Sequence, residues 1–476
     1  MTTVRCVLET TTATSKHQAG IKQGDKMILY SEWDDLAAAV AQRLVDCGVQ
    51  RGDRVGIFMA NDWRLLALIT GIMRAGALAC PVSTRLPRPA VIEQLNQIGA
   101  KGLVAHLDAS KGRDLGGLTV WSPNELLENP EVSSPGGFAM DLDAPAVMIF
   151  TSGSGGKPKP AVLTYGNLYY NARGANANLR LASNEKWLLN LPMYHVSGLG
   201  VMMRCLLAGA CVVIPETAET LAASILRYRP THVSLVPAQL GELLEDTVDR
   251  PFDSVKVFLV GGAACPPHLI TAARARKWPV YLTYGMTETA SQIATMPPDA
   301  PPSKQAITAG KVLRHREMKI AEDGGILVRG PCVFAGYWQD GAVVSSLDSD
   351  GWFGTGDRGM LDADGYLTVL GRKDALIISG GENIQPEEIE LRLRGVEGVL
   401  DAMVTSVPHS KFGQRPVAFV RAIEMDPVGW ARHLAATLPK FKIPDAFHPW
   451  PDEADAGGLK PSRAWFANYA ARNSVK

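Results

Sequence analysis

The stretch TSGSGGKPKP, Thr151 to Pro160, holds three small hydroxyl residues, three glycines and two lysines in ten positions. Placed after the apolar run AVMIF, its backbone N–H groups and the hydroxyls of Thr151, Ser152 and Ser154 can wrap a polyphosphate, with Lys159 as countercharge. It is not a Walker A loop, because Pro158 follows Lys157 and Thr151 stands where the first glycine belongs. A dinucleotide fingerprint fails too, since the third glycine position counted from Gly153 is Pro158. No G-x-S-x-G elbow is present, which removes the simplest hydrolase. Alone, the stretch reads equally well as a surface turn.

Other segments carry complementary chemistry. YGMTE, Tyr284 to Glu288, offers an aromatic ring for a base, a hydroxyl for a phosphate and a carboxylate oxygen for Mg²⁺. TGD, ending at Asp357, offers a carboxylate suited to ribose hydroxyls. GRKD, Gly371 to Asp374, and GGLKPSR, around Lys460, follow. From Val196 to Ile214 the one charge is Arg204, on a helix expected to begin at Ser197. A guanidinium among apolar residues needs an anion, because an unpaired buried charge costs several kcal/mol. The plainer account of Arg204 is an ion pair with a distant acid. For His195 it is a core histidine, and for Ser197 and Ser291 capping and loop roles.

These side chains need a scaffold. The run from Ser31 to Val49 predicts an amphipathic helix with Ser31 and Asp34 as a capping box, Trp33, Leu36, Val40 and Leu44 on one face, and Gly48 as the stop. Short apolar runs then alternate with helical ones: DRVGIFMAN, WRLLALITGIMRAG, ALACPVS, AVMIF, THVSLVP, SVKVFLVGGAA and PVYLTYG. That alternation predicts a parallel sheet covered on both faces, with loops at the strand ends converging on one crevice. Past Gly310 the Asp-Gly pairs at 323, 350 and 364 predict a β-rich subdomain. Beyond Arg372 the chain reads as an α+β unit of about 100 residues, in which the charges of QPEEIELRL form a solvated helix face.

With 476 residues, 48 basic and 48 acidic side chains and 46% apolar residues, the chain is a multidomain protein that nothing steers toward nucleic acid or a membrane. The longest greasy run, LLALITGIM, falls short of the roughly 18 residues of a membrane span, and no signal-peptide core opens the chain. The seven cysteines form no C-x-x-C pair and read as reduced thiols. A cytoplasmic enzyme of small molecules is expected; monomer and homo-oligomer stay open.

In this order the motifs resemble the adenylate-forming superfamily, from about Ser31 to Arg463. The resemblance implies an α/β fold. Residues 1–371 would form a large N-terminal domain with parallel sheets flanked by helices plus a β-rich subdomain, and residues 372–476 a small mobile α+β domain. It implies ATP and CoA as co-substrates and Mg²⁺ as cofactor. Thr151, Ser152, Gly153, Ser154 and Lys159 would embrace the phosphates, while Thr287 and Glu288 would handle the α-phosphate and Mg²⁺. Asp357 and Arg372 would hold the ribose. Gly261, Gly262 and Ala263, with Tyr284 and Gly285, would line the adenine and acid pocket. Lys460 would bridge carboxylate and α-phosphate, Asp374 would be the hinge, and Gly380 and Gly381 would serve the CoA step. Gly155 and Pro160 depart from the family pattern, which has Thr or Ser and Gly there.

Four further stretches, LPMYHVSGLGVMMR, SLVPAQL, YGMTETASQI and SGGENIQPEEIE, resemble the o-succinylbenzoate-CoA ligases of menaquinone and phylloquinone biosynthesis. That implies o-succinylbenzoate as the acid, activated at its succinyl carboxylate. His195, Ser197, Gly198, Arg204 and Ser291 would line its pocket, with Arg204 on the ring carboxylate. A CoA ligase for another aromatic or medium-chain acid shares every ATP motif, and a non-catalytic nucleotide-binding protein on the same scaffold is the reading from another class.

Overall fold

The computed structural model describes residues 2–106, 117–128, 138–151, 158–246, 252–305, 307–373, 375–379, 382–454 and 463–473, with Asn383 described by its backbone alone. The alternation of strand and helix, which by itself predicts one parallel sheet, builds two, in line with the parallel sheets that the family resemblance implies. A nine-stranded sheet carries, side by side and parallel, Ala19–Gln23, Cys211–Ile214, Lys186–Leu188, His232–Leu235, Val257–Val260 and Val280–Met286. An eight-stranded sheet carries Pro145–Thr151 beside Leu78–Pro81, Arg54–Phe58 and Gly102–Ala105.

Both sheets are apolar on both faces, and the twofold period of the strands sorts their residues between layers. Val257 and Leu259 face the same cluster as Val55, Ile57, Val147 and Ile149 from the other sheet. Phe258 and Val260 face a second cluster with Val233 and Leu235. Met148, Val162 and Leu103 face a third. The central layer between the sheets holds the helices Tyr30–Asp46, Trp63–Arg74 and Val196–Ala208. Two of these touch closely at Gly71, where a Cβ would lie 2.5 Å from that of Val40.

Pro145–Thr151 and Lys159–Thr164 are antiparallel, with Thr151 opposite Lys159 and Phe150 opposite Pro160. The described ends of the glycine-rich stretch are therefore strand residues of one sheet. Pro160 is the second residue of its strand, near the strand start where a missing N–H is tolerated.

The first long helix begins at Tyr30, one residue before the expected start. Its N-terminal N–H acceptor is Glu32, which takes the Leu29 N–H at 2.7 Å, so Ser31 and Asp34 do not form the capping box. Asp34 is instead buried against Arg74, the two side chains being 9% and 1% exposed. Gly48, at φ +80°, ends the helix as expected. All seven cysteines are free, and no helix among the described residues is long and apolar enough to cross a membrane.

A four-stranded antiparallel sheet follows, running Glu317–Ile320, Gly325–Arg329, Phe353–Leu361 and Leu367–Arg372. Gly324, Gly351 and Gly365 adopt φ near +80° at its Asp-Gly turns, the conformation the pairs predict. Residues after 376 form a separate sheet around Val399–His409 and Gly413–Ala422, over a cluster that draws only on residues from Ile377 onward. Its helix Pro386–Arg394 is not a solvated charged face. Glu390 is 3% exposed and binds Arg463, Arg463 also reaches Glu387 at 2.6 Å, and Lys442 meets Glu388 at 2.6 Å. These partners come from far along the chain, where helical periodicity cannot see them.

Removing one partner of a buried ion pair strands the other charge, so Asp34→Ala should destabilise by about 3 to 5 kcal/mol. Urea unfolding measures it; a loss below about 1 kcal/mol would show that Arg74 is satisfied without Asp34.

Candidate active site

The strand Val280–Met286 lies inside the nine-stranded sheet, yet each of its seven residues keeps partial exposure. An interior strand is normally covered on both faces, so this one borders an open crevice. It does not end at Tyr284 as a strand-then-loop reading implies. Through Met286 it pairs antiparallel with Ser291–Thr295, and Thr287–Thr289 form a single 3₁₀ turn between them.

That turn is tight and strained. Ala290 and Ser291 hold φ of +54° and +122°, at a cost of about 1 to 3 kcal/mol each. Gly285 faces Ser291 so closely that a Cβ would lie 1.9 Å from the Ser291 carbonyl oxygen. The buried Asn171 Nδ2 donates to the carbonyls of Thr289 at 2.8 Å and Gln292 at 3.0 Å. Arg316, also buried, donates to Gln292 O and, at 3.3 Å, to Asn171 O. Neither residue belongs to a motif, and both hold the turn in place.

Glu288 leaves the turn 6% exposed. Tyr337 Oη donates to its Oε1 at 2.6 Å, and the Lys159 ammonium lies 5.5 Å from the centre of the Tyr337 ring. Burial, then Glu288, raise the Tyr337 pKa, keeping the phenol protonated as a donor. Among the described residues no group of three acidic, histidine or cysteine side chains could cage a metal. A single carboxylate oxygen beside a cation that binds phosphate suits Mg²⁺, which keeps its waters and takes its other ligands from substrate phosphates. The Glu288 side fits that ion.

Farther along the same strand, Tyr284 Oη donates to Asp357 Oδ2 at 2.6 Å. Arg372, opposite Asp357 in the register, reaches Oδ1 at 3.4 Å and Thr355 O at 3.2 Å. Gly261, Gly262 and Ala263 follow Val257–Val260, with Gly262 at φ +80°. A Cβ on Gly261 would lie 2.7 Å from Thr283 Cγ2, so glycine lets this loop lie against the central strand.

The acid-pocket candidates sit on the helix Val196–Ala208, which starts one residue before Ser197. His195 is its extended N-cap and stacks edge-on against Tyr194. It is not a core histidine, because it is exposed; the protein mass around it and then the Arg85 cation lower its pKa. Gly198 is packed where a Cβ would meet Pro192 O at 2.5 Å.

Arg204 is 1% exposed and pairs with no carboxylate among the described residues, against the ion-pair reading. Nη1 donates to Gln292 Oε1 at 3.0 Å, the guanidinium lies 4.4 Å from the centre of the Trp187 ring, and Nε has no protein partner. Burial pushes the guanidinium down to about 10, still charged at neutral pH. It leans back along the helix over Gly200, where a Cβ would lie 2.9 Å from Nη1. Seven residues separate Ser197 from Arg204, two helical turns, so both share that face.

Gln292 presents its oxygen because its nitrogen donates to Thr295 Oγ1 at 2.7 Å and Thr283 Oγ1 at 3.4 Å. Thr283 thus joins the Arg204 network to the strand that carries Tyr284 and leads into the turn of Glu288. Tyr337, Gln292, Gly200, Trp187, Asn171 and Arg316 were not picked out as site residues from sequence. Ser152, Gly153, Ser154, Gly155, Asp374, Gly380, Gly381 and Lys460 lie outside the described residues.

A crevice with a phosphate-type cation, a metal-type carboxylate and a Tyr–Asp–Arg cluster at the strand ends is what an enzyme that adenylates a substrate needs. The chain belongs to the AMP-binding enzyme family, whose model matches residues 8–338. Within it the chain stands among the 2-succinylbenzoate–CoA ligases. It is 34% identical over 461 residues to the 2-succinylbenzoate–CoA ligase of Geobacillus kaustophilus, covering 93% of each chain. It superposes with a TM-score of 0.85 at 30% identity on the o-succinylbenzoate CoA synthetase of Bacillus subtilis in complex with the acyl-adenylate intermediate OSB-AMP, covering 94% of this chain and 95% of that one. The same enzyme in complex with ATP and magnesium ion gives 0.84 at 30% identity, covering 94% and 96%.

Gly285→Ala should force the turn off its partner strand. The overpacking should cost about 1 to 3 kcal/mol or more and weaken ATP binding; unchanged unfolding and unchanged ATP titration would show that the turn yields without consequence.

Proposed function

We propose that this protein activates the succinyl carboxylate of 2-succinylbenzoate with ATP and passes the acyl group to CoA, and that Arg204 selects the acid. The observation that carries the choice of acid is a guanidinium 1% exposed that has, among the described residues, no carboxylate in reach and no partner for Nε. The ring carboxylate of the substrate, met directly or through water, supplies the missing anion.

A carboxylate is a poor electrophile. Its attack on the α-phosphorus of ATP forms a mixed anhydride and expels pyrophosphate; the CoA thiolate then attacks the acyl carbon and AMP leaves. Positioning and charge neutralisation do most of the work. Thr151, Ser152, Gly153, Ser154 and Lys159 hold the β- and γ-phosphates, and Thr287 and Glu288 face the α-phosphate. Asp357, oriented by Tyr284 and Arg372, takes the ribose hydroxyls. Gly261, Gly262 and Ala263 line the adenine and acid pocket, with Tyr284 and Gly285 beside the nucleotide. Glu288 would hold Mg²⁺, which when bound would offset phosphate charge and ease the departure of pyrophosphate. His195, Ser197, Gly198 and Ser291 complete the acid pocket.

The division of residues 1–371 from 372–476 is supported by the separate sheet and core after Ile377. Asp374 as pivot would let the small domain bring Lys460 to the carboxylate and α-phosphate for adenylation, then replace it by Gly380 and Gly381 for the CoA step. The cytoplasm is the compartment in which ATP, CoA and reduced cysteines meet.

Arg204→Ala should lower kcat/KM for 2-succinylbenzoate by roughly a hundred- to several-thousand-fold, the equivalent of about 3 to 5 kcal/mol. An analogue without the ring carboxylate should be poor with the unaltered enzyme and lose little more in the variant. Gly200→Ala, which displaces the guanidinium without emptying its site, should raise KM for the acid and leave that for ATP unchanged. Equal losses on both acids would make Arg204 a structural residue.

Lys460→Ala should slow adenylate formation on the order of 10² to 10³-fold while a supplied acyl-adenylate is still converted to thioester. Equal loss in both half-reactions would remove Lys460 from the adenylation step.

A further inference from the structure

We propose that Tyr337 is a positioning residue of the nucleotide site, its hydroxyl fixing one oxygen of Glu288 and its ring carrying Lys159. The inference rests on the reading of Glu288 as the metal-side carboxylate and goes beyond it by naming what holds that carboxylate in register with the phosphate cation.

The strand register explains why this residue is there. Gly336–Gln339 pairs antiparallel with Lys159–Thr164, placing Tyr337 opposite Ala161. Lys159 and Ala161 share a face of the strand, so Tyr337 lies diagonally beside Lys159 on that face. The next residue, Trp338, points the other way into the outer cluster, as alternation requires. Gly336 sets the approach: at φ +146° its Cβ position would fall 2.2 Å from Val344 O, a space that no side chain fits. Phe334 N–H donates to Glu288 O at 2.8 Å, and the Phe334 ring meets Tyr337 edge-on at 4.8 Å. One short segment therefore holds both the backbone and the side chain of Glu288.

The consequence is chemical. Oε1 of Glu288 is committed to the phenol at 2.6 Å, while Oε2 accepts no hydrogen bond from the described residues, so one oxygen is oriented and the other is offered. Lys159 meets no carboxylate among the described residues and rests 5.5 Å over the ring, which steadies an ammonium without neutralising it. Tyr337 thus keeps apart two groups that would otherwise pair with each other: an ammonium meant for phosphate and a carboxylate meant for a cation.

The test is calorimetric titration of the full-length protein with ATP over a series of Mg²⁺ concentrations, comparing Tyr337→Phe, Tyr337→Leu and Glu288→Gln. Tyr337→Phe should bind ATP in Mg²⁺-free buffer like the unaltered protein but need about tenfold more Mg²⁺ for the same gain in affinity. Tyr337→Leu should also weaken Mg²⁺-free ATP binding, because Lys159 loses its ring. The acid KM should stay unchanged in Tyr337→Phe. A normal Mg²⁺ response in Tyr337→Phe alongside a shifted one in Glu288→Gln overturns this inference alone; a normal response in both overturns the reading of Glu288 as well. Equal weakening of ATP binding with and without Mg²⁺ in Tyr337→Phe would make Tyr337 a packing residue and also overturn the proposal.

Discussion

A charge that is 1% exposed and meets no carboxylate among the described residues is the constraint around which the Arg204 network is built. Arg316, buried to a similar degree, spends its guanidinium on backbone carbonyls and so locks one turn. Arg204 instead receives one carboxamide oxygen and the face of an indole, which stabilise a cation less than an anion would. The surrounding residues serve that arrangement. Thr283 and Thr295 orient Gln292, Ser234 holds the Trp187 N–H at 3.1 Å, and Gly200 leaves room for the guanidinium to lean toward the helix start. The fold has already met the cost of desolvating this cation, and an anion brought to it would be favoured for that reason.

The strand Val280–Met286 connects this end to the nucleotide end. Thr283 touches the Gln292 network, Tyr284 fixes Asp357, Gly285 permits the return of the chain, and Glu288 emerges from the turn within hydrogen-bond distance of Tyr337. One rigid element thus sets the spacing between the Arg204 network and the Tyr284–Asp357 and Glu288–Tyr337 pairs. Asn171 and Arg316 fix the strained turn from behind. Strain stored at a site is expected only where such packing over-determines it.

The α/β class, the Asp-Gly turns and most strands were legible because they rest on local pattern: twofold and 3.6-fold periodicity and turn chemistry. The split into two sheets is not readable from local pattern, because strand order is decided by pairing between distant segments. The same holds for the cap of the first helix. Ser31 and Asp34 satisfy the local rule, yet Glu32 takes the role while Asp34 is drawn to Arg74, 40 residues away. Arg204 stood out by its isolation in an apolar run. Gln292 and Tyr337 carried no such mark, since their function depends on register across a hairpin and between strands far apart in sequence. Ser152, Ser154, Asp374 and Lys460 rest on motif alone and lie outside the described residues.

On the proposed reading, the buried guanidinium calls for an acid with a second carboxylate. Pyrophosphate release measured over a panel of carboxylic acids, with and without CoA, tests this. 2-Succinylbenzoate should exceed benzoate, medium-chain fatty acids and the succinyl analogue lacking the ring carboxylate by at least about a hundredfold in kcat/KM, the scale of one buried charge pair. A monocarboxylic acid used as well as the diacid, or no release with any acid, would contradict it.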